Sequence, residues 1–470
     1  MRNLLCLAFA GLLLHGSPVL AEQTAPSWAI GTTAADTTQS YWGPIPPPDP
    51  TCSVVYPISG SHPVERVILA PFTIVTYPIF LTTRLLKAGL EFADERGIVP
   101  GLRPTLPIRI GNLSMGPAVT AGGHGGFGGG GTILYEGGIE KQNKVILRYV
   151  TTVKGFHRGS AGFRAPWGKR SIVEIGGGYR MERNARFFGI GPTSLKSDES
   201  FFTQEQSWGG AGIRRPLGRR LASEWKAIYT TIETRAPRAQ DKPGVAQTFA
   251  GDLPLGYGER SRGILYSGLL RLDTTDETGR PTHGMIAQAQ TAYFSPTGND
   301  PGSFWRYTGE AGTFLPLFFT DRTLALRGAV SWTGPTDTDE LIFMRLATNH
   351  SGETLRGFND YRWRDRGLVD LVAEYRWPVW ALERPHGIGV DAFAFLNSGQ
   401  VFGDWDGIKA RLWRTSYGGG FRLVMASGFS GRLELARSIE STQIRLQADQ
   451  MFDFKDMGLF GGNYHVAAPN

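Results

Sequence analysis

The sequence predicts an all-β protein, a transmembrane antiparallel β-barrel of about 16 strands with a short, partly helical N-terminal extension. Three observations carry this. The stretch Leu368–Trp380 alternates: Val369, Leu371, Ala373, Tyr375, Trp377 and Val379 share an apolar face, and Asp370, Glu374 and Arg376 share a charged one. A period of two with one greasy and one charged face suits a strand set between lipid and a polar interior. A soluble sheet shows the same alternation, so the second observation matters: no uncharged apolar run reaches the roughly 18 residues that a spanning helix needs. Third, strand-like runs start near residues 132, 144, 158, 170, 201, 219, 260, 283, 303, 320, 341, 366, 386, 413, 428 and 442, an even number within the bacterial barrel range.

Taken in order, the chain opens with a leader. Arg2 supplies the positive start, Leu4 to Leu14 an apolar core, and Val19-Leu20-Ala21 a small-residue cleavage signal, so residues 1–21 read as a secretory signal peptide. Cys6 falls in that leader, which leaves Cys52 as the cysteine expected in the mature chain and no internal disulfide or cysteine metal site. Residues 22–104 read as a proline-rich linker followed by an apolar, partly helical segment that Pro71 and Pro78 break. The barrel is expected over residues 105–452. Its last strand places Ile444, Leu446, Ala448 and Phe452 on one face and Gln443, Arg445, Gln447 and Asp449 on the other, and residues 453–470 form a C-terminal tail.

Several function classes drop out. The net charge of +7 is spread over many strands, with no long basic run of the kind that binds nucleic acid. Gly123–Gly128 fits G-x-G-x-x-G, but Thr132-Ile133-Leu134-Tyr135 after it is a strand, whereas nucleotide binding needs a helix there. The eight histidines are scattered, and His350 and Ser351 are adjacent in a polar loop, where adjacency alone does not make a catalytic set, so no catalytic residue, metal or cofactor is assigned.

The stretch around Leu355-Arg356-Gly357-Phe358 is more specific. A polar loop, Ala347–Glu353, precedes it, then come Glu374-Tyr375-Arg376-Trp377-Pro378 and Phe393-Ala394-Phe395. A loop bearing L-R-G-F, a strand of the form E-Y-R-W-P and an F-x-F strand, in this order, resemble the BamA/TamA superfamily of outer-membrane barrels, the bacterial surface antigen family. Arg186–Pro192 (RFFGIGP) resembles a motif of members that lack periplasmic POTRA modules. Arg271–Thr274 with Gly279–Gly284 resembles a turn of the same family. The resemblance spans roughly the C-terminal three-quarters of the chain and implies a POTRA-less member.

In such a barrel the loop folds back into the lumen and its arginine docks on acidic and aromatic groups. Matched here, the arginine is Arg356, the carboxylate Glu374 with Asp370 further along, and the aromatic pair Phe393 and Phe395, against which Phe358 is expected to pack. The family places Asp after the second aromatic where this chain has Asn397, which implies a weaker lock. The loop follows the eleventh strand-like run, on the extracellular side, but the long gaps at 184–200 and 234–259 follow even-numbered runs, where short turns belong. The resemblance implies work in outer-membrane protein or lipid assembly or translocation. The implied partners are outer-membrane lipids and nascent outer-membrane or secreted polypeptides, with no nucleic acid, for a monomeric barrel. The alternative is a passive pore or structural barrel.

Overall fold

A computed structural model of the chain describes residues 108–122, 126–137, 143–168, 170–238, 242–276, 280–298, 302–317, 319–335, 341–349, 354–382, 388–425 and 430–447. The readings of residues 1–107 (leader, linker and apolar segment), of His350 and Ser351 and of the tail lie outside these residues. In chain order the strands are β1 (Ile108–Ile110), β2 (Leu113–Gly122), β3 (Gly128–Gly137), β4 (Asn143–Thr152), β5 (His157–Trp167) and β6 (Ser171–Phe187). They continue as β7 (Ser200–Pro216), β8 (Leu221–Arg235), β9 (Arg260–Asp273), β10 (Gly284–Pro296), β11 (Phe304–Leu317) and β12 (Phe319–Pro335). Two short strands, β13 (Ala347–Thr348) and β14 (Arg364–Asp365), pair only with each other. Then follow β15 (Gly367–Leu382), β16 (Ile388–Phe402), β17 (Arg414–Met425), β18 (Ser430–Ser438) and β19 (Thr442–Gln447).

Sixteen long strands, β2–β12 and β15–β19, pair antiparallel with their sequence neighbours in one sheet, and the three-residue β1 adds to the start of β2. The sheet is turned inside out relative to a soluble protein. On β15, Asp370 is 0% and Glu374 1% exposed while Leu371 between them is 49% exposed; on β18, Glu434 is 1% exposed between Leu433 at 48% and Leu435 at 51%. Water would reward the opposite arrangement. Lipid outside and a polar interior reward this one. The interior charges meet one another: Arg280 and Arg422 share Asp391 at 3.0 and 3.4 Å, and Arg327 stands 3.3 Å from Asp370.

The sheet's two edges meet over a short length. β19 pairs with β2 only at Arg445–Gly122 and Leu446–Ala121, and the same edge of β2 is taken at its start by β1, through Leu113, Ser114 and Met115. Unpaired strand edges are templates for other strands, and here the join is two residue pairs long rather than a full ladder.

The structure corrects the strand count in a way that explains its success. The stretch from Leu341 is not a strand: Phe343–Arg345 is one turn of 3-10 helix, and Ile342, Phe343, Met344 and Leu346 are apolar because they fill a core inside the connection. The strand β2 escaped notice because Gly116 and Pro117 interrupt its alternation. One strand too many and one too few left sixteen. Counting from β2, the connection 188–199 follows the fifth strand, 236–259 the seventh and 336–366 the eleventh. All three therefore leave from one end of the sheet, and the conflict over the two long gaps disappears. The connections 168–170 and 217–220 leave from the other end.

Candidate functional site

The connection between β12 and β15 folds against the inner face. Its base is the β13–β14 ladder, closed by Asn349: the Asn349 Nδ2 donates to the Asn359 carbonyl at 2.8 Å, and the Trp363 N–H donates to Asn349 Oδ1 at 2.8 Å. At the tip, Leu355 (φ 48°) and Tyr361 (φ 63°) both hold the left-handed conformation. Non-glycine residues there cost about 1–3 kcal/mol each and persist only when their surroundings impose them. Leu355, Phe358 and Trp363 do so by packing with Ala347, Leu368 and Val401 in one buried cluster.

Arg356 is fully buried. Its Nη2 donates to Glu374 Oε2 at 2.9 Å, its Nη1 stands 3.4 Å from Glu434 Oε2, and its guanidinium lies 4.1 Å from the centroid of the Phe395 ring. Glu374 accepts in turn from Arg376 Nε at 2.8 Å. Burial pulls the Arg356 guanidinium below its ordinary pKa, and the two carboxylates oppose that. A fork-shaped cation between two acids and over a ring is a specific clamp, since each partner left alone would be a buried charge.

The loop backbone is held as firmly. The Leu355 N–H donates to Asp370 Oδ1 at 3.2 Å and the Arg356 N–H to Asn397 Oδ1 at 2.9 Å. The Asn397 amide donates to Asp370 Oδ1 at 2.7 Å. The Gly357 carbonyl accepts from Ser438 Oγ at 2.7 Å and Ser441 Oγ at 2.8 Å, and the Phe358 carbonyl from Arg445 at 3.0 Å. Gly357 is required at this spot: a Cβ there would come within 2.6 Å of the Ser416 side chain and 2.8 Å of the Arg437 backbone. These bonds tie the loop to β15, β16 and the final hairpin β18–β19, beside the two-pair join.

Residues 151–455 match the Omp85 superfamily domain, more than half of the chain. The chain belongs to the Omp85 superfamily. The BamA/TamA resemblance read from the sequence is thereby borne out, and membership places the protein in the bacterial outer membrane. The fold agrees with a BamA from Haemophilus ducreyi lacking POTRA domains 1–3, at TM-score 0.52 and 14% identity over 72% of this chain and 69% of that one. A CdiB from Escherichia coli matches at TM-score 0.49 and 13% identity over 73% of this chain and 61% of that one. No curated protein is detectably similar in sequence.

In this Omp85 chain the structure brings Leu355, Arg356, Gly357, Asp370, Glu374, Phe395 and Asn397 together, with different pairings from those expected. Phe358 does not pack on Phe393 and Phe395, which form a cluster with Ala436. It meets Trp363 edge to face at 6.0 Å, and the Arg356 guanidinium takes the place on Phe395. Asp370 receives the Leu355 backbone and Asn397 rather than the arginine. Sequence reasoning missed Glu434, Ser438, Ser441 and Arg445, which the fold brings back from roughly 80 residues away; the only local sign of Glu434 was its place between Leu433 and Leu435. It also missed how the R-F-F-G-I-G-P stretch is used. Phe187 packs on Phe343 at 5.2 Å, and the Gly191 N–H donates to the Arg364 carbonyl at 2.7 Å. Tyr361 donates to Glu182 on β6 at 2.6 Å, and burial pushes its phenol up to about 12 against the pull of Arg180.

Proposed function

We propose that this barrel acts in outer-membrane assembly, moving polypeptide into or across the membrane at the join of β19 and β2, with the Leu355–Phe358 loop as an internal latch on that join. In this reading Arg356 is the lumen anchor of the loop, and Asp370, Glu374, Phe393, Phe395 and Asn397 form its seat. The protein works as a monomer in contact with outer-membrane lipids and reaches the membrane through the export signal read in residues 1–21. One observation carries the reading. Besides its bonds to β15 and β16, the loop bonds through Gly357, Phe358 and Arg356 to β18–β19, the hairpin whose outer strand meets β2 at only two residue pairs. A join that short is the cheapest place to part the sheet, since parting it exposes few backbone groups. A latch of buried charge pairs has two discrete states, docked with every charge paired or withdrawn with the carboxylates open to water.

The test is deletion of the gene followed by a quantitative proteome of the outer membrane. Loss of specific barrel or secreted proteins, restored by the wild-type chain, is expected. An unchanged proteome with altered small-solute uptake would replace this reading with a passive pore.

A further inference from the structure

The outer face of the sheet from β5 to β11 is not smooth. It holds a groove of about 860 Å³ with Ile213, Ala227 and Gly268 in its floor and Trp225, Tyr266 and Trp305 as walls. That volume lies in the range of ligand pockets, about 300–1,000 Å³. Gly268 creates part of it: a Cβ there would lie 2.7 Å from the Trp225 ring, which therefore lies flat across β9. The walls stand proud of the surface, with Trp225 61% and Tyr266 47% exposed. In a barrel this face meets the bilayer, so the groove opens to acyl chains and not to water.

The end of the groove has a charge. Ile213 is in the floor, and Arg215, two residues along β7 and therefore on the same face, is exposed about 7 Å further toward the β7–β8 turn. Arg219 and Arg220 in that turn and Arg170 in the β5–β6 turn are exposed as well. Residues 165–173 and 208–223 contain no Asp or Glu. Among the described residues none of these four arginines has a carboxylate partner, in contrast to Arg214 on the inner face, which pairs with Glu224. Both turns are short and lie at the end opposite the long connections, which in barrels of this kind is the periplasmic end.

We propose that this face binds one phospholipid of the periplasmic leaflet, its acyl chain in the groove and its phosphate at Arg215 and Arg219. Apolar groove and basic collar lie in the order of a lipid, tail toward the bilayer centre and headgroup at the interface. Basic side chains at that level attract phosphate and favour anionic headgroups. The site is distinct from the loop and the join, and it stands whether or not the barrel assembles polypeptides.

The test uses the full protein in nanodiscs of phosphatidylethanolamine and phosphatidylglycerol, extracted into detergent for native mass spectrometry. The wild type is expected to retain one phosphatidylglycerol after the bulk lipids are stripped. The pair Arg215→Glu/Arg219→Glu should lower its occupancy at least fivefold, and so should Ala211→Leu/Ala227→Leu, which fills the groove with side chains that lipid tolerates. Unchanged heat-modifiable mobility of each variant establishes that the barrel is intact. Retention equal in all three proteins would show only nonspecific annular lipid and overturn the proposal. Loss on charge reversal without loss on filling would overturn the groove as the acyl site. Should either pair fail to fold, bromine-labelled acyl chains in the wild type decide: quenching of Trp225 above that of Trp405, by comparison with the single Trp→Phe variants, is expected, and equal quenching overturns it.

Discussion

Arg356 is fully buried with two carboxylates and an aromatic ring around it, and that sets what its removal costs. Arg356→Ala leaves Glu374 and Glu434 buried with one cation fewer, a loss of about 3–5 kcal/mol for a broken buried pair. Urea unfolding in detergent micelles should show a shift of that size, with Arg356→Lys in between because an ammonium cannot serve both acids in a plane. A shift under about 0.5 kcal/mol would mean a solvated arginine. Asn397→Asp is expected to loosen the loop, the reverse of what the sequence suggested. The Asn397 amide donates to Asp370 at 2.7 Å, and a carboxylate there would meet another carboxylate. Asp365 makes the loop sensitive to pH. Burial raises its carboxyl to about 6, with Asp404 adding to the shift and the Arg366 N–H opposing it. The unfolded value is about 3.9, so the folded loop binds the proton more tightly. This stabilisation is complete below about 4 and is lost as pH rises through 6. The protection of the loop amides, taken relative to their intrinsic exchange rates at each pH, should therefore fall between pH 5 and 7 in the wild type and far less in Asp365→Asn; identical profiles would remove Asp365 from the loop's energetics.

At the scale of the element, the loop depends on close approach. Gly357→Ala places a methyl against the Arg437 backbone, which cannot swing aside as a side chain end could. The loop should undock even though Arg356 is intact, and limited proteolysis should cut between 354 and 363 in this variant and not in the wild type. Alternation made β15 legible in the sequence because lipid and lumen enforce opposite chemistry on adjacent residues of one strand. The same logic failed at Leu341–Leu346, where the apolar residues face a core of Phe187, Phe202 and Val245 inside the connection. It failed at β2 because glycine and proline carry no face. The L-R-G-F tetrapeptide and Glu374 were legible through the resemblance, because three motifs stand in the family's order along the chain. Glu434, Ser438 and Arg445 were not, since only the fold of the whole sheet brings the last hairpin to the loop.

For the whole molecule, exposed leucines and buried arginines describe a protein whose solvent is lipid. An antiparallel barrel of sixteen strands resists detergent until heated, so unboiled and boiled samples should run at two mobilities on a gel; a single mobility with extraction by carbonate would contradict the barrel. In the proposed latch the short join and the docked loop make one mechanical unit, because the same hairpin serves both. The most direct measurement of that unit is cysteine accessibility in intact cells. With Cys6 and Cys52 replaced by Ser, Leu355→Cys and Phe358→Cys are treated with a membrane-impermeant maleimide. Both should be protected when Arg356 is present and labelled at least tenfold faster when Arg356→Ala is added. Full labelling with Arg356 present, unchanged by its removal, would show that the loop does not rest inside the barrel and that Arg356 holds nothing there.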